Sequence, residues 1–233
     1  APSALAVVDP LGPGEGPPSL SEELRDLLRL FPSATVLAAV PATGGVAGLL
    51  PTLFEWGVAD VVDLLRETTP AAFARRLDAV RSRRVQRLLR RALPGTVPSR
   101  TRSLLSVAAD VVAAGGLATE LAAALGVDER TVPRWCQRAD LPPPRRLLAW
   151  LRLLLAADLL DEPSRSVESV ARACGYAGGG SLKSALLNFF GLTPQELRER
   201  GAFESAAHAF ARELFELRER SRERGRPEKT WLN

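Results

Sequence analysis

Two stretches of the chain set polar and basic residues behind the same frame of small and apolar ones. In LAAALGVDERTVPRW, Ala122 is followed by Gly126 and then Val132; in VARACGYAGGGSLKSAL, Ala171 is followed by Gly175 and then Leu182. The first stretch then offers Arg130, Thr131, Arg134 and Gln137, and the second offers Gly180, Ser181, Lys183, Ser184 and Asn188. On a helix these positions share a solvent-facing side, with Val132, Trp135, Leu182 and Leu186 turned inward. Their chemistry is recognition: Arg forms paired hydrogen bonds with a guanine edge, Gln with an adenine edge, and Lys or Ser with phosphates or bases.

Elements that present such a face must cross closely and turn tightly. A helix-turn-helix needs a small residue where the helices cross, a turn residue tolerant of positive φ, and an apolar anchor on the second helix. Ala122 and Ala171 are 49 residues apart, as are Gly126 and Gly175. One small unit is therefore duplicated, a more specific signal than either match alone.

The run VARACGYAGGGSLKSALLNFFGLTPQELRER resembles the C-terminal signature of AraC/XylS-type regulators, with its Gly-Tyr turn, Phe-Gly and Leu-Thr-Pro. The likeness extends over roughly residues 101–200. It implies two helix-turn-helix units joined by a long central helix, here 145–160, about 24 Å long at ~1.5 Å per residue. It also implies double-stranded DNA as partner, with recognition helices in successive major grooves about 34 Å apart. Two features depart from the family pattern. Pro133 lies in the first recognition helix, a strain relieved if Thr131 is the N-cap and Pro133 falls in the first turn. Gly178-Gly179-Gly180 leads into the second recognition helix, and Leu187-Asn188 stands where the family often carries basic residues. These departures keep open an alternative, a protein–protein scaffold with the same fold and weakened DNA binding.

The expected fold is mainly α, with a small α/β N-terminal domain (1–97) built on three parallel strands. An all-α double helix-turn-helix domain (98–200) and an amphipathic C-terminal helix with a tail (201–233) follow it. Strand-like apolar runs at 4–10, 35–40 and 59–65 alternate with helical patterns at 20–31, 45–56 and 71–93, which implies a parallel sheet covered by helices. Ser19 or Ser21 caps the first helix. PGTVPS (94–99) breaks the helical pattern as a linker. Beyond it, helical spacing runs through 101–114, 117–125, 145–160, 166–174 and 181–190. The stripe Phe203, Ala207, Phe210, Leu214 and Leu217 marks another helix over 202–222, packed on its own domain, and a frayed end is expected after Gly225.

Residues 1–97 resemble the second half of a response-regulator receiver domain. VVDPLGPGEG would place Asp9 at the phosphoacceptor position of that family. The acidic metal-binding pair is missing, Val40-Pro41 stands where the switch Thr belongs, and Leu65-Arg66 replaces Lys-Pro. A lone carboxylate does not readily hold Mg²⁺ and accept a phosphoryl group, so Asp9 is read as a turn residue before Pro10. The segment is then a degenerate receiver-like module for partner contacts, with homodimerisation through it or through the C-terminal helix. The arginines of 71–93 are read as a solvated face, the competing reading being phosphate contact.

Composition sets the outer bounds. The net charge is +4, and 29 of the 31 basic residues are Arg, so charge alone does not argue for nucleic acid. Cys136 and Cys174 have no neighbouring ligands at metal spacing and suit small core residues of a cytoplasmic protein. The sequence starts at Ala1 without a single Met, which suggests a trimmed start. No apolar run reaches the ~20 residues of a membrane span. With one His and no nucleophile–base arrangement or phosphate-cradling loop, neither catalysis nor a cofactor is expected.

Overall fold

The computed structural model describes residues 5–14, 16–31, 34–67, 69–93 and 97–224. The outermost residue of the 4–10 strand expectation, part of the 94–99 linker and the end beyond Gly225 lie outside them. Three short apolar runs form parallel strands β1 (Leu5–Val8), β2 (Thr35–Val40) and β3 (Asp60–Asp63), in the order β1-β2-β3. Leu5 pairs with Thr35, and Leu37 with Asp60. Helix α1 (Glu22–Leu30) crosses from β1 to β2, and its Ser21 hydroxyl accepts the Leu24 amide at 3.2 Å. A 3₁₀ segment (Gly44–Leu49) and α2 (Leu50–Trp56) cross from β2 to β3. One apolar layer joins Leu24, Leu28, Val36, Ala38, Leu53 and Val58, while the opposite face of the sheet buries Leu37 and Val62 against Val80.

The edges differ from the sequence reading where side-chain period and backbone bonding disagree. The 4–10 and 59–65 strands are shorter than expected, because Asp9 and Asp63 turn their carboxylates to nearby amides and end the ladder. The single helix expected at 45–56 divides, since Gly44, Gly45 and Gly48 favour a tighter, less regular turn before Pro51 starts the α-helix.

Helix α3 (Pro70–Ala92) belongs to both halves of the molecule. Its first part lies on the sheet through Phe73, Leu77 and Val80, and its second part enters the helical core through Val85, Leu88, Leu89 and Ala92. That core continues through α4 (Ser99–Ala113), α5 (Ala118–Leu125), α6 (Val132–Arg138) and α7 (Pro144–Leu160). It is completed by α8 (Val167–Ala173), α9 (Gly179–Phe190), α10 (Pro194–Glu199) and α11 (Ala202–Arg224).

The apolar residues of α7 occupy almost its whole circumference, and it accordingly forms the axis of the core: Leu147, Leu151, Leu153, Leu159 and Leu160 are all fully buried. Trp150 sits among Phe189, Phe190 and Phe210, edge-on to the first two, and donates its indole N–H to Glu213 Oε2 at 2.8 Å. Glu213 also takes Arg146 in a two-pronged pair at 2.6 and 2.7 Å. This clasp holds α11 against α7. At the other end, the Asp161 carboxylate accepts the Ala202 and Phe203 amides at 2.6 and 3.0 Å, satisfying the open start of α11. The stripe Phe203, Ala207, Phe210 and Leu214 is buried within the chain, while Phe215 remains exposed. No helix among the described residues is long and apolar enough to cross a membrane.

Candidate nucleic-acid interface

The duplicated frame is reproduced hydrogen bond by hydrogen bond. Helix α5 ends at Gly126 with φ 66°, and α8 gives way to Gly175 with φ 75°. The following residue closes each turn on the corresponding alanine: Val127 N–H bonds Ala122 C=O at 3.1 Å, and Tyr176 N–H bonds Ala171 C=O at 2.9 Å. A Cβ on either glycine would meet nothing within 4 Å, so left-handed backbone alone demands glycine there. Ala122 and Ala171 are buried at the crossings, and Val132 and Leu182 are buried on the second helices. Trp135 is only partly buried, packing against the core rather than within it.

Pro133 sits at the start of α6, with Thr131 as N-cap residue. Amides in a first turn lack intrahelical acceptors in any case, so this proline removes no helical bond. The Thr131 hydroxyl makes no capping bond; the entry is shaped by Asp128, whose carboxylate accepts the Arg130 amide at 2.8 Å. The result is a helix of seven residues against the twelve of α9.

Arg130, Arg134 and Gln137 are exposed, and Thr131 is half-buried. Gly180, Ser181, Lys183, Ser184 and Asn188 are all exposed on α9. Among the described residues, no hydrogen bond or ion pair engages the side chains of Arg130, Arg134, Gln137, Lys183 or Asn188. Two of the expected polar contacts are spent locally. Ser181 exchanges bonds with the Gly178 backbone at 2.8 and 3.2 Å, and Ser184 donates to Gly180 C=O at 3.1 Å.

Within the glycine run, Gly179 has a concrete cause. The Gly179 amide donates to Glu168 Oε2 at 2.7 Å, and a Cβ on Gly179 would lie 3.0 Å from that oxygen. Glu168 thus crosses from α8 to seat a carboxylate on the positive end of α9. Two further exposed residues flank the candidates, Arg138 being the one the sequence reading omits. Arg138 follows Arg134 by one helical turn, a spacing that was legible. Leu187 is 49% exposed on α9. An apolar residue at that spacing reads as core unless its neighbours Leu182 and Leu186 already fill the buried side.

The arginines of α3 are not simply a solvated face. Asp60, 7% exposed, holds Arg83 at 2.5 Å and Arg76 at 3.4 Å, and Arg76 also pairs with Glu67. Arg84 meets Asp158 of α7 at 2.8 Å, and Arg91 meets Glu204 at 3.3 Å. Asp9 is exposed at the end of β1, its carboxylate accepting the Leu11 amide at 3.0 Å. Among the described residues no three His, Cys, Asp or Glu side chains group as metal ligands. Burial pushes the Cys136 thiol up to about 11 and the Cys174 thiol up to about 12.

A protein-family profile described as a helix-turn-helix domain matches residues 121–200. The HTH-type transcriptional regulator ArgR of Pseudomonas aeruginosa is 32% identical over 81 residues, which are 35% of this chain and 25% of that regulator. The chain therefore matches about a quarter of the length of this curated relative. A crystal structure of a DNA-binding transcriptional dual regulator from Escherichia coli K-12 superposes with a TM-score of 0.39 at 23% identity, covering 44% of this chain and 98% of that one. The matched span encloses both turns, both alanine crossings and the central helix between them: residues 121–200 match a helix-turn-helix domain.

Proposed function

We propose that the chain is a sequence-specific regulator of transcription that binds double-stranded DNA with α6 and α9 in successive major grooves. The observation that carries this reading is the duplicated turn, which leaves two second helices exposing unpaired polar side chains. Helix α7 spaces them; its 17 residues span about 25 Å. Arg134, Gln137 and Arg138 on α6 suit guanine and adenine edges, and Lys183, Asn188 and the exposed Leu187 on α9 suit a phosphate, a base edge and a thymine methyl. Such a protein works in the cytoplasm, where bacterial DNA lies.

The residues up to Ala92 serve as a receiver-like module that has lost phosphorylation, with Asp9 committed to its turn. Homodimerisation falls to this module, because the apolar stripe of α11 is largely consumed within the chain. The weakly basic α9 and the carboxylate of Glu168 at its start favour the second reading, an interaction scaffold with the same frame. Selection of bound duplexes from a random pool separates them. The regulator enriches a two-part motif with half-sites about 10 base pairs apart, and the scaffold enriches none.

A further inference from the structure

We propose that the cleft between α3, the entrance of β2 and the α7–α8 turn binds a small organic anion carrying two or more phosphate or carboxylate groups. The cleft encloses about 900 Å³ and is lined on one side by Arg83, Arg87 and Arg90 of α3. Its other walls are Phe54 and Val58 of the α/β part, Asp158 of α7, and Asp161 and Glu162 just beyond it. A pocket of this size at the junction of two units is the usual setting of a ligand site.

The charges in the cleft are unequally committed. Asp158 is taken by Arg84, Asp161 by the start of α11, and Glu162 by Arg165. Arg76, Arg83, Arg84 and Arg91 each meet a carboxylate. Arg87 and Arg90 are exposed into the cleft and, among the described residues, meet none. Two unpaired guanidiniums three residues apart on one helix repel mildly and are relieved by an anion between them. Arg83, 58% exposed despite its bond to Asp60, extends the cationic row by one more turn. The span from Arg83 to Arg90 is about 10 Å along the helix, which fits several anionic groups better than one. Phe54, half exposed across the cleft, offers a face for an apolar body.

Isothermal titration of the full chain with pyrophosphate and with citrate, at constant ionic strength, tests this. At least one should bind saturably at a single site, and which one does tells the phosphate source from the carboxylate source. R87A/R90A should weaken that binding about tenfold or more, since each charge-assisted bond contributes at that scale. R87K/R90K should restore part of it, and R29A, on the exposed end of α1, should leave it within about twofold. Both arginines are exposed, so the variants should keep the far-ultraviolet circular dichroism of the parent. Failure of both anions to bind, or unchanged binding by R87A/R90A, overturns the proposal. So does a double variant that keeps the anion and loses only DNA affinity, which would make the pair a backbone contact. Any of these results leaves the duplex-selection test of DNA binding untouched.

Discussion

At the scale of single residues, the two turn glycines carry the frame because their backbone is left-handed. Gly126→Ala and Gly175→Ala should each cost about 1–2 kcal/mol through φ alone, the space for a Cβ being open. Urea titration of each variant checks the size, and losses near zero would mean the turns rearrange freely. The thiols make a second test. Burial raises both in the folded chain, so folding is favoured while they stay protonated and weakens as pH rises. The loss should begin near the ordinary thiol value of about 8.5 and continue towards about 11 for Cys136 and about 12 for Cys174. A thiol reagent at neutral pH should label neither cysteine until denaturant is added. The glycines, the buried alanines and the cysteines were legible because each answers to a local rule of backbone or volume. Glu168 was not, since its partner amide lies 11 residues away across a turn.

At the scale of elements, α6 shows how a breaker is accommodated. Pro133 sits where no amide is needed, so Pro133→Ala should change stability by no more than about 0.5 kcal/mol, against the ~3 kcal/mol of a mid-helix proline. Denaturation midpoints decide between these figures. The α7–α11 clasp is the opposite case. Glu213, 15% exposed, is the shared acceptor for Arg146 and the buried Trp150 indole. Glu213→Ala strands that indole and should destabilise the chain by about 2–3 kcal/mol. Helix existence followed from apolar period and caps, whereas this clasp joins residues 63 and 67 apart in sequence, beyond any periodic signal. Most arginines of α3 are exposed as a solvated face requires, and their ion pairs escape a sequence reading for the same reason. Their partners Asp60 and Asp158 come from a strand and a helix that only the fold brings near.

At the scale of the whole molecule, α3 ties the sheet to the helical core, and α7 ties the two copies of the duplicated unit to each other. The general plan was visible from the alternation of strand and helix followed by helices alone; the degree to which α3 is shared was not. DNA affinity should fall steeply with salt, since the available basic contacts are phosphate-type as well as base-type. The most direct measurement of the central claim is duplex selection repeated with Arg134→Ala and with Lys183→Ala. Two helices reading separate grooves predict that each variant blurs one half of the two-part motif and leaves the other half sharp. A parent motif with a single half, or variants that leave both halves sharp, would contradict it.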